Sequence, residues 1–493
     1  MDDYKDLVFA CLTAGIAAYL VRWYTDPLRA IPTVGGSSLP GLSWIAALRM
    51  LGDCRDILEE GYRKYPNGTF KVPASDRRMV VVSGRELVEE LRKRGDEELS
   101  APGGSQESKY IFDAAVLADE YHVEVVKEKL TRKLPALLPD VIDEVRVAIK
   151  DHIVTKEDGR NEEYLSLAVD FAVDFMKTVI VLRLFPTFLK PIVSLFYNLV
   201  KRDTARAVPF LRPIIEERQW ASAELGEDWN DKPNCNVQND LLQFLLDKAT
   251  SKNETVFAIA QRLLTLNFAA IHTSSNTITH ALTRLAEDPE LVGPLRDEIE
   301  KSIAADGWTS PALANMWKLD SLLRETLRFH GIGLLSMGRK AMKDSDLTLR
   351  DGTHIPCGAL VQAAAYAMHH DSVALGGGRA DAFDAFRYAR MRSGSQATTT
   401  TSQDGGARHR GARHQFTSTS PEYVAFGHGA HACPGRYFAS NELKAVLAYI
   451  VLNYDLRLGG DGVRAPDVFA ALAALPAPTT RVLFRPRKWA API

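Results

Sequence analysis

A glycine-rich loop around Cys433 is the part of the sequence best suited to chemistry. It runs from Phe426 to Gly435 and reads FGHGAHACPG, directly before an amphipathic helical pattern that starts near Arg436. Glycines permit tight turns, and the free N–H groups at a helix N-terminus stabilise a thiolate and lower its pKa. A thiolate held by a rigid loop can be the axial ligand of a haem iron. The alternative is a buried, inert cysteine beside a glycine turn.

The loop resembles the haem-binding segment of the cytochrome P450 superfamily, usually written F-G-x-G-x-R-x-C-x-G. The resemblance implies that Cys433 ligates the iron of a haem b. It also assigns cofactor binding to the other matching positions, which are Phe426, Gly427, Gly429 and Gly435. The sequence departs from the pattern at His431, where the family most often has an arginine that contacts a haem propionate. Because an imidazole N–H can also bond a carboxylate, we expect His431 to take that role.

Two charged motifs before the loop resemble the ion-pair network of the same family. Glu325 and Arg328 form an E-x-x-R in the helical run DSLLRETLRFH, and positions i and i+3 share one face of a helix. Arg387 lies in FDAFRY, which is similar to the family's F-x-P-x-R-F segment, with Ala385 where proline is common. The resemblance implies a structural network of these three charges on the proximal side of the haem. A buried pair of this kind would be costly to break from one side.

A third motif, Ala269–Ser274 (AAIHTS), lies within a long apolar segment. It resembles the family's oxygen-binding A/G-G-x-D/E-T-T/S element, which implies that Thr273 donates a hydrogen bond to dioxygen. The alternative is that Thr273 bonds the carbonyl four residues earlier in its own helix. His272 stands where the family has a proton-relaying acid, and an imidazole can relay protons near neutral pH. Two roles stay open for His272, the relay itself or only the lining of the channel, with Ser274 and Ser275 holding a water chain.

Basic residues elsewhere could hold the haem propionates. The segment Tyr121 to Leu134 occupies the place of the family's propionate-contacting helix, but lacks its common tryptophan. We expect His122 or Lys127 to replace it, and Arg339 is a further candidate. Ordinary charges on solvated helix faces are the alternative for all three. A basic cluster on the same segment could dock an acidic reductase; it consists of Lys127, Lys129, Arg132 and Lys133.

The amino-acid composition shows what class of protein positions these residues. The chain has 493 residues, of which 46% are hydrophobic and 25% charged, with a formal net charge of -2. These values exclude a disordered chain and argue against binding to nucleic acid, which needs a basic surface. Five cysteines without CxxC spacing argue against a disulfide framework and against a zinc site. Length alone suggests about three domains or one unusually large one.

Helical signals dominate that body. The stretch from Val256 to Glu287 contains neither proline nor glycine and predicts one long, mostly buried helix. The strand-like pieces are short: Met79–Val82, Leu347–Leu349, Leu360–Val361 and Thr480–Phe484. The predicted fold class is therefore mainly α with small β-sheets. The resemblance implies the cytochrome P450 fold, with a single haem-thiolate catalytic domain over residues 41–493. Within it, the polar segment 393–420 is expected to form a flexible insertion loop.

The N-terminus predicts a membrane anchor. Leu7 to Val21 is a charge-free apolar run, about 22 Å long as a helix and bracketed by aromatic residues, against roughly 27 Å for the endoplasmic-reticulum hydrocarbon layer. Because Arg22 and Arg29 follow this run, the body should face the cytosol. We expect a transmembrane helix within residues 1–25 and a proline-containing hinge over 26–40. A cleaved signal peptide and a buried core helix are the alternatives.

The resemblance implies a monooxygenase of the endoplasmic-reticulum membrane. Such an enzyme inserts one atom of O2 into a C–H bond with electrons from NADPH, which a separate NADPH–cytochrome P450 reductase delivers. The chain has no G-x-G-x-x-G nucleotide fold of its own. Its motifs look most like those of fungal ent-kaurene-oxidase-type members, which implies a terpenoid or diterpenoid substrate from secondary metabolism.

Other functions compete with this interpretation. A polyketide or hybrid polyketide-peptide scaffold is the alternative substrate. A reductase-independent isomerase or dehydratase, and a non-enzymatic haem sensor, are further alternatives. The presence of Thr273 argues against both of these, because neither reaction type needs the hydroxyl of the oxygen-binding element.

Overall fold

The computed structural model describes residues 13–487, apart from residues 16, 19, 22, 38–41, 74–77, 102–106, 154–161, 186, 226–239, 253, 343–346, 376–377, 398–412 and 471. Most of the predicted anchor therefore lies outside the described residues. Among the helices that can be described, none combines the length and the apolar character needed to cross a membrane. The predicted hinge lies against the sheet, since the N–H of Lys71 donates to Pro32 and the N–H of Val34 donates to Lys71.

Helices form most of the described chain. In order, they are α1 (Leu42–Gly52), α2 (Cys54–Lys64), α3 (Arg85–Lys93), α4 (Ser108–Ile111), α5 (Ala114–Ala118), α6 (Tyr121–Val125), α7 (Thr131–Ile153), α8 (Glu162–Leu184), α9 (Lys190–Phe196), α10 (Leu199–Leu225), α11 (Leu241–Ala249), α12 (Val256–Glu287), α13 (Val292–Asp306), α14 (Ser310–Asn315), α15 (Trp317–Phe329), α16 (Ala365–His369), α17 (Arg387–Ala397) and α18 (Arg436–Asn453). A π-helical turn, Val126–Leu130, joins α6 to α7.

Helix α12 matches the prediction at both ends. The hydroxyl of Thr255 accepts from the N–H of Ala258 and caps the first turn. The helix ends at Glu287, directly before Asp288 and Pro289. Helices α8, α10, α11, α15 and α18 all pack against it. Ala269–Ser274 thus lies on a helix that is packed on several sides, but Ala269 and Thr273 themselves are exposed.

The strands are short, as predicted. They are β1 (Thr69–Pro73), β2 (Arg78–Val82), β3 (Leu99–Ser100), β4 (Ser336–Ala341), β5 (Leu347–Thr348), β6 (His354–Ile355), β7 (Leu360–Ala363), β8 (Tyr454–Leu458), β9 (Val468–Ala470), β10 (Ala473–Leu475) and β11 (Val482–Pro486). The main sheet has the order β1-β2-β7-β4-β3, with β2 and β7 parallel and the other neighbours antiparallel. Pairs β5–β6, β8–β11 and β9–β10 form small separate ladders.

Apolar burial stabilises this arrangement in three clusters. One packs α2, α3 and α16 against the main sheet, a second surrounds α13, α15 and α18, and a third joins α8, α10 and α11 to the first half of α12. The predicted class, mainly α with small sheets, is confirmed. The segment predicted as an insertion loop is helical over residues 393–397, within α17, and residues 398–412 lie outside the described residues. Phe416, near its other end, is fully buried.

Candidate active site

Glycine turns fold the loop that carries Cys433. Gly427 and Gly429 have φ values of 70° and 85°, in the left-handed region that disfavours other residues. The N–H of Cys433 donates to the carbonyl of Phe426 at 2.7 Å and closes the loop. Because α18 begins at Arg436, the cysteine stands just before a helix N-terminus, as the sequence predicts.

The electrostatics of Cys433 differ from the prediction. Its side chain is partly buried, and this burial raises the pKa of the thiol. The N–H groups of Gly435 and Arg436 and the charge of Arg436 act in the opposite direction, but more weakly. The helix N-terminus therefore acts on the pKa in the predicted direction, but burial outweighs it and the net pKa of the thiol is raised. A bound metal ion deprotonates a ligating thiol directly, so ligation rather than the helix would provide the thiolate.

Arg339 on β4 is a buried cation that forms no ion pair within the described residues. Its side chain is 4% exposed, and its Nε finds no hydrogen-bond partner in the described part of the chain. Its Nη1 donates to the neighbouring carbonyl of Gly338 at 3.0 Å. Burial lowers the pKa of Arg339, and the charge of Asp96 opposes this only in part. A buried cation needs a close anion, so the site fits a carboxylate ligand such as a haem propionate.

His431 lies close to the same carboxylate. Its Nε2 is 3.1 Å from Oδ2 of Asp96, the residue whose charge also acts on Arg339. The structure thus brings two of the four predicted propionate ligands, from the Cys433 loop and from β4, to one acidic side chain. A propionate would compete with Asp96 for both. The fit of Cys433, Arg339 and His431 to a haem is therefore good.

The other two candidates are held differently. His122 is buried on α6, where its Nδ1 lies 3.0 Å from Nη1 of Arg262. Burial and the Arg262 charge lower the pKa of His122 to about 4, so its imidazole is neutral at pH 7. Lys127 is exposed on the π-helical turn. Arg262 also pairs at 2.5 Å with Glu254, just before α12, and Glu254 accepts from the hydroxyl of Tyr121 on α6 at 2.9 Å. The sequence did not indicate this connection between α12 and α6.

In the oxygen-binding element, the hydroxyl of Thr273 donates to the carbonyl of Ala269 at 2.8 Å. This bond within the helix is the alternative to a hydrogen bond with dioxygen. Ser274 donates to Oε2 of Glu442 on α18 at 2.9 Å, and burial raises the pKa of Glu442. Sequence reasoning missed Glu442, whose only signal is that an acid interrupts the apolar run after the loop. His272 makes no hydrogen bond within the described residues, and its Nε2 is buried.

The Glu325 network, which we define as Glu325, Arg328 and Arg387, is assembled and buried. Nε and Nη2 of Arg328 donate to the two oxygens of Glu325 at 2.8 and 2.7 Å, and Nε of Arg387 lies 3.3 Å from Oε1. Arg328 also donates to the carbonyls of His369 and Ala380 at 2.7 and 2.9 Å. These bonds connect α15 to the chain that leads into α17.

Two lysines of the predicted reductase-docking cluster contact other side chains of the same chain. Lys129 pairs with Asp247 on α11 at 2.6 Å, and the ammonium of Lys133 lies 5.4 Å from the centroid of the Phe244 ring. These two lysines hold the π-helical turn and α7 against α11. Lys127 is exposed and lies on the same turn as Lys129.

A buried polar cluster formed by His280, His330 and Asp467 was also missed. Nδ1 of His330 lies 2.5 Å from Oδ2 of Asp467, and the His280 ring stacks on the His330 ring with centroids 4.1 Å apart. Arg284 donates to Nε2 of His330 at 3.0 Å, and Arg464 donates to Asp467 at 2.7 Å. The donor set could suit a metal ion. Two guanidinium groups already supply positive charge there. The cluster connects α12, the residue that follows α15 and the segment before β9.

The sequence is similar to that of known proteins. The sequence profile of the family described as Cytochrome P450 matches residues 145–484. The chain is 50% identical to "Cytochrome P450 monooxygenase CYP512U6" of Ganoderma lucidum, over 99% of this chain and 97% of that protein. It is 40% identical to "Cytochrome P450 monooxygenase 151" of Postia placenta, over 96% and 98% of the two chains.

Two more distant likenesses extend the comparison. "Ent-kaurene oxidase P450-4" of Gibberella fujikuroi is 27% identical over 98% of both chains. Among solved structures, retinoic acid-bound cyanobacterial CYP120A1 superposes with a TM-score of 0.65 at 18% identity, over 93% of this chain and 99% of that one. The structural likeness supports the fold alone.

Proposed function

This chain belongs to the cytochrome P450 family and is a monooxygenase of that family; from this premise we propose that it is anchored in the endoplasmic-reticulum membrane and oxidises an apolar, terpenoid-type scaffold. Its electrons would come from NADPH through a separate reductase. The observation that carries the proposal is the closed glycine loop that presents Cys433 before α18. The family implies haem iron with thiolate ligation, and Cys433 is the residue of this chain that matches the ligand position.

When bound, a thiolate-ligated haem supplies the activation of O2 and the transfer of one oxygen atom to a C–H bond. Cys433 would hold its iron, and the buried guanidinium of Arg339 would bind a propionate together with His431. His122 and Lys127 are the further propionate candidates. Phe426 and the loop glycines 427, 429 and 435 keep the loop in the shape that presents the sulfur.

We expect Thr273 to hold a proton near the reacting oxygen, as its position in the motif implies. It is exposed on the surface of α12, and its hydroxyl proton now points to the carbonyl of Ala269 at 2.8 Å. Rotation of the side chain would release that proton toward dioxygen. The exchange of one hydrogen bond for another costs little, because a threonine hydroxyl is a donor and an acceptor in either position.

The proposal of a terpenoid substrate is supported by two observations. One is the likeness to the ent-kaurene oxidase of Gibberella fujikuroi, whose name gives ent-kaurene as its substrate. The other is the apolar character of α12 around Phe268 and Ile271, which suits a hydrocarbon ligand. A polyketide-type scaffold would need the same apolar surface, so both classes belong in the test.

The test uses the full chain in microsomes with added reductase and NADPH. We expect oxygen uptake that depends on NADPH and an oxygenated product from one of a panel of terpenoids and polyketides. Product formation without NADPH would indicate an isomerase or dehydratase instead. Ligand binding with no oxygen uptake for any compound would indicate a haem sensor and contradict the proposal.

A further inference from the structure

We propose that His272 is a specificity residue that recognises a hydrogen-bond acceptor, such as a carbonyl oxygen, on an otherwise apolar, ring-containing substrate. The inference rests on the proposed function and defines the substrate class of the same site more closely. It also chooses between the two roles left open for His272, since it assigns this residue to the substrate and not to the proton relay.

An aromatic wall leads to His272. The ring centroids of Phe112 and Phe175 are 5.9 Å apart, those of Phe175 and Phe268 are 4.6 Å apart, and those of Phe268 and His272 are 5.5 Å apart. The wall joins three elements, because Phe112 follows α4, Phe175 lies on α8 and the other two lie on α12. All four side chains are only partly buried. Such a surface offers flat apolar contact to a rigid ring system.

His272 is the polar end of this wall. Three hydroxyls of α12 are already bonded: Thr265 donates to the carbonyl of Gln261 at 2.7 Å, Thr273 donates to the carbonyl of Ala269, and Ser274 donates to Glu442. His272 has no such bond within the described residues, although its Nε2 is buried. A buried polar atom without a partner costs free energy, so an outside ligand would gain by pairing with this imidazole.

The environment of His272 determines which chemical group of a ligand can pair with its imidazole. Burial lowers the pKa of His272, so the imidazole is neutral and carries a single N–H. Nε2 is the ring atom that lacks a partner in the described part of the chain, so a ligand oxygen would accept the proton of this nitrogen. A single N–H donor beside a wall of phenyl rings fits a carbonyl or ether oxygen on a hydrocarbon skeleton.

The same facts argue against a relay through His272. A relay residue needs a hydrogen-bonded neighbour on each side and must accept a proton readily. In the described part of the chain, neither ring nitrogen has such a neighbour, and burial disfavours the imidazolium form. His272 directly precedes Thr273 in the chain, so a substrate oxygen held by its ring would fix the position of the scaffold close to that hydroxyl.

The experiment measures ligand binding to the haem-loaded full chain by absorbance difference titration. The probes are androstane, a tetracyclic hydrocarbon, and its ketone androstanone. We expect wild-type protein to bind the ketone roughly three- to tenfold more tightly, as one neutral hydrogen bond provides. His272→Phe should remove this preference without changing the affinity for androstane, and His272→Gln, which keeps an N–H donor, should restore part of it.

Two further variants serve as controls. Thr265→Val lies two turns away on the same face of α12 and should keep the preference, because its hydroxyl is bonded within the helix. Phe268→Leu should weaken the binding of both probes by the same factor. All variants must retain the haem content of the wild type.

Three results would overturn the proposal: a ketone preference that persists in His272→Phe, equal affinities in the wild type, or binding of neither probe. Unchanged binding together with a lower yield of product per NADPH in His272→Phe would assign the relay role instead. These titrations require no turnover. Failure of the proposed monooxygenase function would appear separately, as absent oxygen uptake in wild-type protein that still distinguishes the two probes.

Discussion

The Glu325 network and the candidate haem site both bury charged side chains, but they differ in how completely those charges are paired. Glu325 is fully buried and accepts from Arg328, from Arg387 and from the N–H of Asp384. Arg339 is almost as deeply buried, and in the described part of the chain it has one bond to an adjacent carbonyl and an unpartnered Nε.

This difference indicates that the two regions use buried charge for different purposes, one to stabilise the fold and the other to bind a ligand. A network whose charges are all paired in the protein is complete, and it serves to hold α15 and the chain before α17 in place. A buried guanidinium without an anion is incomplete, and its cost is offset only when a ligand supplies the anion. The two regions should therefore respond in opposite ways to the loss of their charge.

The largest expected effect is the loss of stability in Glu325→Ala. The change leaves Arg328 and Arg387 buried without their carboxylate, which costs roughly 3–5 kcal/mol of the free energy of unfolding. Urea unfolding of the purified protein, followed by tryptophan fluorescence, measures this cost. The matched control is Asp381→Ala, because the Arg379–Asp381 pair is exposed at 80% and 72% of its side chains. Equal stability of both variants would contradict the structural role of the network.

A smaller effect of the opposite sign is expected for Arg339→Met. Removal of an unpaired buried charge should leave the haem-free protein at least as stable as the wild type, whereas haem binding should weaken by roughly 1.5–3 kcal/mol through the lost charged hydrogen bond. Transfer of haem to apomyoglobin measures the retention, and urea unfolding of the haem-free form measures the stability. If Arg339→Met destabilises the haem-free protein and retains haem normally, Arg339 belongs with the paired network.

The cluster of His280, His330 and Asp467 should make the free energy of unfolding depend on pH. Burial lowers the pKa of His280 from 6.5 to about 3, so the unfolded chain binds this proton first as the pH falls. Stability is therefore lost below about pH 6.5, by at most roughly 1.4 kcal/mol per pH unit from this residue. His280→Phe should reduce the slope of unfolding free energy against pH between about pH 6 and 5. An unchanged slope would show that His280 does not titrate in this way.

The sequence was most informative where chemistry and local geometry coincide. Val256–Glu287 is predictable as one helix because no residue interrupts it, and an E-x-x-R pair meets because residues three apart share a helix face. The glycine pattern likewise indicates the loop around Cys433. In these cases the partners are close in the chain, so a short motif contains the whole interaction.

Packing decided the features that the sequence did not reveal. His330 and Asp467 are 137 positions apart, and Arg262 and His122 are 140 apart, so no motif connects either pair. The direction of the Cys433 pKa depends on how deeply the loop is buried, which the motif does not encode. Glu442 is an ordinary acid in the sequence and becomes a buried partner of Ser274 only when α12 and α18 meet.

The central claim is that Cys433 is the thiolate ligand of a haem, and the carbon-monoxide difference spectrum of the reduced protein tests it most directly. We predict that the wild type shows the red-shifted Soret band of thiolate-ligated haem and that Cys433→Ala loses it. Cys357→Ala, at an exposed free cysteine, should keep the band. Survival of the band in Cys433→Ala, or its loss in Cys357→Ala, would contradict the assignment of the ligand.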